Sequence, residues 1–278
     1  MKYKERVIKY KDHIVFGRLS MPYFDRRPKE YNENEACFIF VNTGEVSVRS
    51  QKDYFNLDPK RALLAKCLNY FFETNDKQKK CGDGVDVLGV LLYPTVVQEL
   101  FEFDLSTSNY SLDFNLKQIE VDRLLENFRD SINILLDNPE LADESMVKTK
   151  IKEFVLLLSK SQQAPSHLDF LAAIFKPTDV EFKTTIQHNL YSNLSLEELA
   201  SLCHLSLSSF KRKFKETFND RPKKYIARKK VEKAAALLKV NSLRVSDIAY
   251  DVGFDSLATF NRNFSNVFGL SPSEYRLN

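Results

Sequence analysis

Two short stretches of this chain hold the side chains best able to grip a polyanion and read it. Ser208, Ser209, Lys211, Arg212 and Lys215 lie in the first, and Leu257, Ala258, Asn261 and Arg262 in the second. An arginine fork matches the O6 and N7 of guanine, asparagine matches the N6 and N7 of adenine, and small apolar groups meet the methyl of thymine. Lys211 and Lys215 suit phosphate better than bases, because roughly half to two-thirds of protein–DNA hydrogen bonds end on phosphate or sugar. The plain alternative for each residue is a solvated surface position. The nucleic-acid reading gains weight because Arg212 and Arg262 hold equivalent places in an internal repeat.

In that repeat, Leu199-Ala200, three residues and His204-Leu205 match Ile248-Ala249, three residues and Gly253-Phe254, at an offset of 49. Asp255 is then extra. At an offset of 50, Ser206, Phe210, Arg212, Phe214, Phe218, Pro222 and Tyr225 match Ser256, Phe260, Arg262, Phe264, Phe268, Pro272 and Tyr275. Such agreement at fixed spacing points to duplicated structure. Each copy predicts a helix-turn-helix. Ser195, with Glu198 three residues later, makes a capping box for the first helix. The chain turns at His204 or Gly253. A positive φ is free for glycine and tolerated by histidine better than by most residues. Ser206, and Ser256 or Asp255, cap the second helices. Asn219 and Gly269 end them as left-handed caps, and Pro222 and Pro272 open the next helices. One long helix from Pro222 to Leu238 joins the copies. The phenylalanines bury one face of each second helix, so the residues named above face outward. A recognition helix reads bases with its N-terminal residues.

Charge is distributed to match. The net charge is only +3, but residues 205–240 hold 12 basic and 3 acidic residues. A solvated helical surface would show such a run, and so would a phosphate-tracking one.

The segments Ile248-Ala249-Tyr250-Asp251-Val252-Gly253-Phe254-Asp255-Ser256, Phe260-Asn261-Arg262-Asn263-Phe264 and Phe268-Gly269-Leu270-Ser271-Pro272-Ser273-Glu274-Tyr275-Arg276 resemble the signature of the AraC/XylS family. The resemblance covers about a hundred residues. It departs at His204, where a small turn residue is usual, and at Thr259, where an aromatic is common. It implies two helix-turn-helix units that enter successive major grooves on one face of double-stranded DNA. It also implies activation of promoters through contact with RNA polymerase.

The rest of the chain reads as α+β. Residues 1 to about 112 are mostly β: Phe38 and Phe40 alternate with Cys37, Ile39 and Val41, and Asn42-Thr43-Gly44 then offers a hairpin turn to Val46 and Val48. The runs 62–65, 70–72 and 85–93 are further short strands, several of them separated by turns such as 75–76 and 81–84. The pattern fits a sandwich or small barrel. A short helix is expected after Pro94. From about 116 to 160 two amphipathic helices form a hairpin. Val121, Leu124, Leu125, Phe128, Ile132, Leu135 and Leu136 make one stripe, and Val147, Ile151, Phe154, Val155 and Leu158 the other. The stripes either cover the β domain or make a homodimer face, and the dimer is the expectation. The family resemblance, loose here, implies a cupin-like sensing barrel with a dimerisation hairpin. The domains are therefore 1–160 regulatory, 161–177 linker and 178–278 DNA-binding.

The expected function is a sequence-specific transcription regulator, an activator in kind, controlled by a small molecule or by a protein effector. The competing reading is a cupin-type enzyme fused to a DNA-binding module. The region of the expected barrel has His13 as its one histidine, far from the clustered histidines and carboxylate a metal cupin needs. No catalytic residue, metal site or cofactor is expected. Four cysteines, at 37, 67, 81 and 203, show no C-x-x-C spacing and read as reduced thiols; a redox role for Cys37, Cys67 or Cys81 is the minor alternative. No apolar run is long enough to span a bilayer, and no signal peptide opens the chain, so a cytoplasmic protein is expected.

Overall fold

The computed structural model describes residues 3–29, 35–66, 69–74, 84–103, 108–176, 180–240 and 243–277. The chain divides into two compact units, Met1–Asp179 and Val180–Asn278.

In the first unit the described residues form two antiparallel sheets. One has six strands in the order β1 (Lys4–Tyr10), β2 (His13–Met21), β9 (Val85–Leu92), β4 (Ala36–Thr43), β7 (Arg61–Ala65) and β10 (Leu116–Glu120). The other has four, β3 (Arg26–Lys29), β8 (Tyr70–Glu73), β5 (Val46–Arg49) and β6 (Tyr54–Leu57). Helices α1 (Pro94–Phe101), α2 (Arg123–Asp137), α3 (Glu144–Ser161) and α4 (His167–Ile174) complete the unit. Strand β4 explains the layering. Phe38 and Phe40 join a core with residues of α1–α4, whereas Cys37, Ile39 and Val41 join a second core with residues of the four-stranded sheet. A sheet covered on both faces needs apolar residues at successive positions, and β4 has them.

Four expectations are corrected. The 37–48 hairpin does not form: β4 pairs with β7 and β9, and β5 with β6 and β8. The turn carries the chain from one sheet to the other. Gly44 there has φ +81°, and a Cβ would lie 2.6 Å from the Gly84 carbonyl oxygen, so the corner requires glycine. The cupin-like barrel is an open two-sheet sandwich, because neither sheet closes on itself among the described residues. Residues 116–120 are not helical; they form β10, paired with β7.

The fourth correction concerns the apolar stripes of 116–160. Leu125, Phe128, Ile132, Leu135 and Leu136 of α2 lie in one core with Val147, Ile151, Phe154, Val155 and Leu158 of α3, against Phe16, Phe38 and Phe40 of the sheet. Phe128 stacks on Phe154 with ring centroids 4.9 Å apart. Burying each such side chain contributes about 1.5–3 kcal/mol. The buried residues of both stripes therefore cover the sheet. Leu124, placed by its spacing on the same stripe, is 61% exposed.

The stretch expected as a linker, 161–177, carries α4, which buries Phe170, Leu171, Ala173 and Ile174 in the same core. Its Ser166 cap accepts from the Asp169 amide. Cys37 is buried, with its thiol 3.3 Å from the Tyr70 hydroxyl. Cys67, Cys81, Pro177 and the turn residues 75–76 and 81–83 lie outside the described residues.

The regular elements described in the second unit are all helices. It contains α5 (Phe182–Asn189), α6 (Leu196–Leu202), α7 (Leu207–Phe218), α8 (Pro222–Val240), α9 (Val245–Asp251), α10 (Leu257–Phe268) and α11 (Pro272–Leu277). Two cores form. Phe182, Ile186, Leu199, Phe210 and Phe214 pack with Tyr225 and Ile226 in the first. Ile248, Val252, Phe254, Phe260 and Phe264 pack with Val231, Ala234, Ala235 and Leu238 in the second. Helix α8 thus gives its N-terminal turns to one core and its C-terminal turns to the other. No helix among the described residues is long and apolar enough to cross a membrane.

Candidate nucleic-acid interface

The two copies of the repeat fold alike down to single hydrogen bonds. After α6 the Leu205 amide donates to Ala200 O at 2.9 Å, and after α9 the Phe254 amide donates to Ala249 O at 3.0 Å. His204 and Gly253 take φ values of 54° and 86°, so both turns use the left-handed region. Ser195 and Glu198 form the full capping box of α6, while the N-cap of α9, Arg244, makes no side-chain bond to the helix end. Ser206 and Ser256 cap α7 and α10 by accepting from the amides of Ser209 and Thr259 at 3.3 and 3.2 Å. Asn219 and Gly269 end those helices with φ 51° and 73°.

Aromatic stacking repeats as well. Phe214 meets Tyr225 edge-on at 5.5 Å, and Phe264 meets Tyr275 edge-on at 5.3 Å. Each pair adds about 0.5–1.5 kcal/mol beyond area burial. These rings hold one face of α7 and one face of α10 against the cores, which fixes the faces that point outward.

Ser208, Lys211, Arg212 and Lys215 are exposed on α7, and Leu257, Ala258, Asn261 and Arg262 are exposed on α10. Ser208, Arg212 and Lys215 follow the i, i+4, i+7 spacing of one helical stripe. Ser209 differs. It is half-buried, whereas Ser208 is exposed, although both hydroxyls lie 3.0 Å from the capping oxygen of Ser206. Lys211, Arg212, Lys215, Asn261 and Arg262 have no side-chain hydrogen bond or ion pair among the described residues. Several arginines of the first unit are used differently: Arg18 pairs with Asp86, Arg26 and Arg49 with Glu73, and Arg61 with Asp58.

Three features go beyond what the sequence pattern predicts. Lys213 is exposed on α7 with its ammonium 5.2 Å from the Phe182 ring. Helix α5, which supplies Phe182, joins the core of the first helix-turn-helix from outside the repeat. Lys230 is buried on α8, where it donates to Ser192 O and Gly253 O. The spacing Ile226, Lys230, Ala234 places a lysine on an apolar stripe, and that is the one signal of it in the sequence. Burial also acts on Cys203, whose thiol is pushed up to about 12, and the partial burial of the otherwise exposed His204 lowers its pKa. A thiol held so high is inert at neutral pH.

Two family profiles match this chain. One, described as a helix-turn-helix domain, covers residues 199–278, and the other, the ExsA N-terminal regulatory domain, covers residues 36–170. The chain belongs to the AraC/XylS family of transcription regulators. Among relatives in that family, the thermoregulatory protein LcrF of Yersinia pestis is 24% identical over 254 residues, covering 88% of this chain and 90% of LcrF. The MmsAB operon regulatory protein of Pseudomonas aeruginosa is 36% identical over 91 residues. That match spans 33% of this chain and 30% of the relative's length. A crystal structure of ToxT from Vibrio cholerae aligns over 100% of this chain and 98% of its own, at 14% identity and a TM-score of 0.39.

Both departures from the AraC/XylS pattern have local explanations. His204 takes the left-handed φ with an exposed side chain. Thr259 sits in the first turn of α10, half-buried, where its amide meets the Ser256 cap and its carbonyl accepts from Asn263 Nδ2 at 2.8 Å.

Proposed function

We propose that this chain is a sequence-specific DNA-binding activator of transcription that acts in the cytoplasm. The observation that carries the reading is the set without side-chain partners among the described residues on two capped, aromatic-backed helices: Lys211, Arg212 and Lys215 on α7, and Asn261 and Arg262 on α10. Ser208 and the Lys211, Arg212 and Lys215 cluster serve phosphate binding and arginine readout. Leu257, Ala258, Asn261 and Arg262 serve base discrimination. Ser209 acts through the cap it shares with Ser206. The relative LcrF, similar over nearly its whole length, supports the regulatory role.

Selection of duplexes from a random library on the full chain, followed by footprinting, tests this. The expected footprint is two short patches about 10–10.5 base pairs apart on one face. Replacing Lys211 or Lys215 with alanine removes one cation from the phosphate backbone, and each replacement should flatten the salt dependence by a slope of about 0.9. Failure to enrich any duplex would refute the reading.

For the first unit, the proposal is a sensing domain. A cavity of about 400 Å³ lies among Val7, Leu19, Ile39, Val46, Val87 and Leu91, a size and lining suited to a small, largely apolar effector. Mass spectrometry of protein purified from its native host and then denatured would reveal the molecule. An empty cavity, with the regulator still controlled in the cell, would favour a protein effector. Leu124, Ile134, Leu141, Met146 and Leu156 stay exposed around the α2–α3 hairpin and support homodimerisation there. Contact with RNA polymerase is the remaining part of the proposal, and it follows from the family's mode of action.

A further inference from the structure

Lys230 is the one buried lysine of the second unit among the described residues, 8% exposed at the middle of α8. Its Nζ donates to Ser192 O at 2.7 Å and to Gly253 O at 2.6 Å. Ser192 lies in the turn between α5 and α6, which leads into the first helix-turn-helix. Gly253 is the turn of the second. The two turns approach closely: a Cβ on Gly253 would lie 2.3 Å from Tyr191 O and 2.8 Å from Ser192 O. One turn further along α8, the Lys233 ammonium sits 3.9 Å over the Tyr191 ring.

An ammonium in this position is costly. Burial lowers the Lys230 pKa to about 8, against a smaller opposing effect of Asp255. An apolar side chain would avoid the desolvation but would take this donor from two carbonyls, one in the turn that leads into the first helix-turn-helix and one in the turn of the second. A charge that bonds one group from each of two bodies constrains their mutual geometry. We propose that Lys230 is a positioning residue that sets the relative pose of α7 and α10 and thereby fixes the spacing of the two DNA patches the chain accepts. The proposal rests on the DNA-reading role above.

The test uses the full chain and duplexes enriched on the wild-type protein from a random library. Three probes are compared: the selected duplex, the same duplex with one base pair inserted between the two protected patches, and one with a patch scrambled. Wild type should lose about tenfold or more on the insertion, since linked sites gain affinity only when both are engaged at once. Lys230→Met should bind the selected duplex about tenfold more weakly, discriminate against the insertion by less than about threefold, and bind the scrambled duplex within about twofold of wild type. Lys230→Arg, which keeps a cation with several donors, should restore discrimination. Lys230→Gln, which keeps an N–H donor without charge, replaces the methionine variant if that protein does not fold. An unchanged spacing profile in these variants overturns the proposal. So does an equal loss on intact and scrambled duplexes, or failure of both variants to fold, because each makes Lys230 a residue of general stability. If the wild-type chain enriches no duplex, the DNA-reading role falls and takes this inference with it. A duplex enriched by wild type, with the same spacing profile in the variants, overturns this inference and leaves the DNA-reading role standing.

Discussion

Positions 204 and 253 are equivalent in the repeat, yet substitution at them should act in opposite directions. Both turns need a positive φ. For a residue with a Cβ, the left-handed region costs about 1–2 kcal/mol. Gly253→Ala incurs that cost and adds a steric one, because its Cβ would stand 2.3 Å from Tyr191 O and 2.8 Å from Ser192 O. Both atoms are backbone and cannot swing aside. Forcing extra atoms into a packed site costs a further ~1–3 kcal/mol, so Gly253→Ala should destabilise the second unit by about 2–5 kcal/mol. His204→Gly instead removes the left-handed cost, and the greater entropy of the unfolded glycine returns part of it. The net effect is a change between zero and about 1 kcal/mol of stabilisation. For a unit of this size, 1 kcal/mol moves the midpoint by about 4–8 °C. Calorimetry of the full chain should show the transition of the second unit falling by about 10 °C or more in Gly253→Ala and holding or rising in His204→Gly. DNA affinity at a temperature where Gly253→Ala is still folded should fall too, because the turn sets the pose of α10. A Gly253→Ala protein within about 0.5 kcal/mol of wild type would refute the packing argument, and equal losses at both positions would refute the claimed asymmetry.

Asn261 is exposed and free of partners among the described residues, so Asn261→Ala should cost about 1–3 kcal/mol only on duplexes carrying its preferred base. An equal loss on every sequence, measured on matched duplexes, would leave Asn261 no role in base reading. Leu124→Glu should alter stability by no more than about 0.5 kcal/mol, whereas Phe128→Glu places a carboxylate in the core and should cost more than about 4 kcal/mol in urea denaturation. A folded Phe128→Glu protein that loses only self-association would restore the stripe as a dimer face. Lys230 holds its proton less tightly in the folded chain, near pH 8, than the ordinary lysine value of 10.5. Between those values the unfolded chain binds more protons, so wild-type stability relative to Lys230→Met should rise with pH across that window. Urea midpoints for both proteins at about pH 7, 8.5 and 10 that keep a constant difference would contradict the burial effect on this lysine.

The second unit was legible in the sequence because its determinants are local. A capping serine, a left-handed turn residue and phenylalanines at a spacing of four all act within one or two helical turns. Duplication then printed the same local code twice, and Arg212 and Arg262 could be placed outward once Phe210 and Phe260 were placed inward. Those side chains stand where the repeat required, with the half-buried Ser209 as the exception. What the tertiary structure decided was partnership between distant segments. The turn at Gly44 looks like a hairpin in one dimension, but β4 is apolar on both faces and finds β7 and β9 in place of β5. The stripes of α2 and α3 have the same pattern whether they meet a second copy or their own sheet, and Phe16, Phe38 and Phe40 settle the choice. Lys230 stands on an apolar stripe in the sequence, but its partners, Ser192 O and Gly253 O, lie 38 and 23 residues away and only the fold brings them within bonding distance of it. Periodicity records which face of an element is buried; only the packed chain determines what buries it.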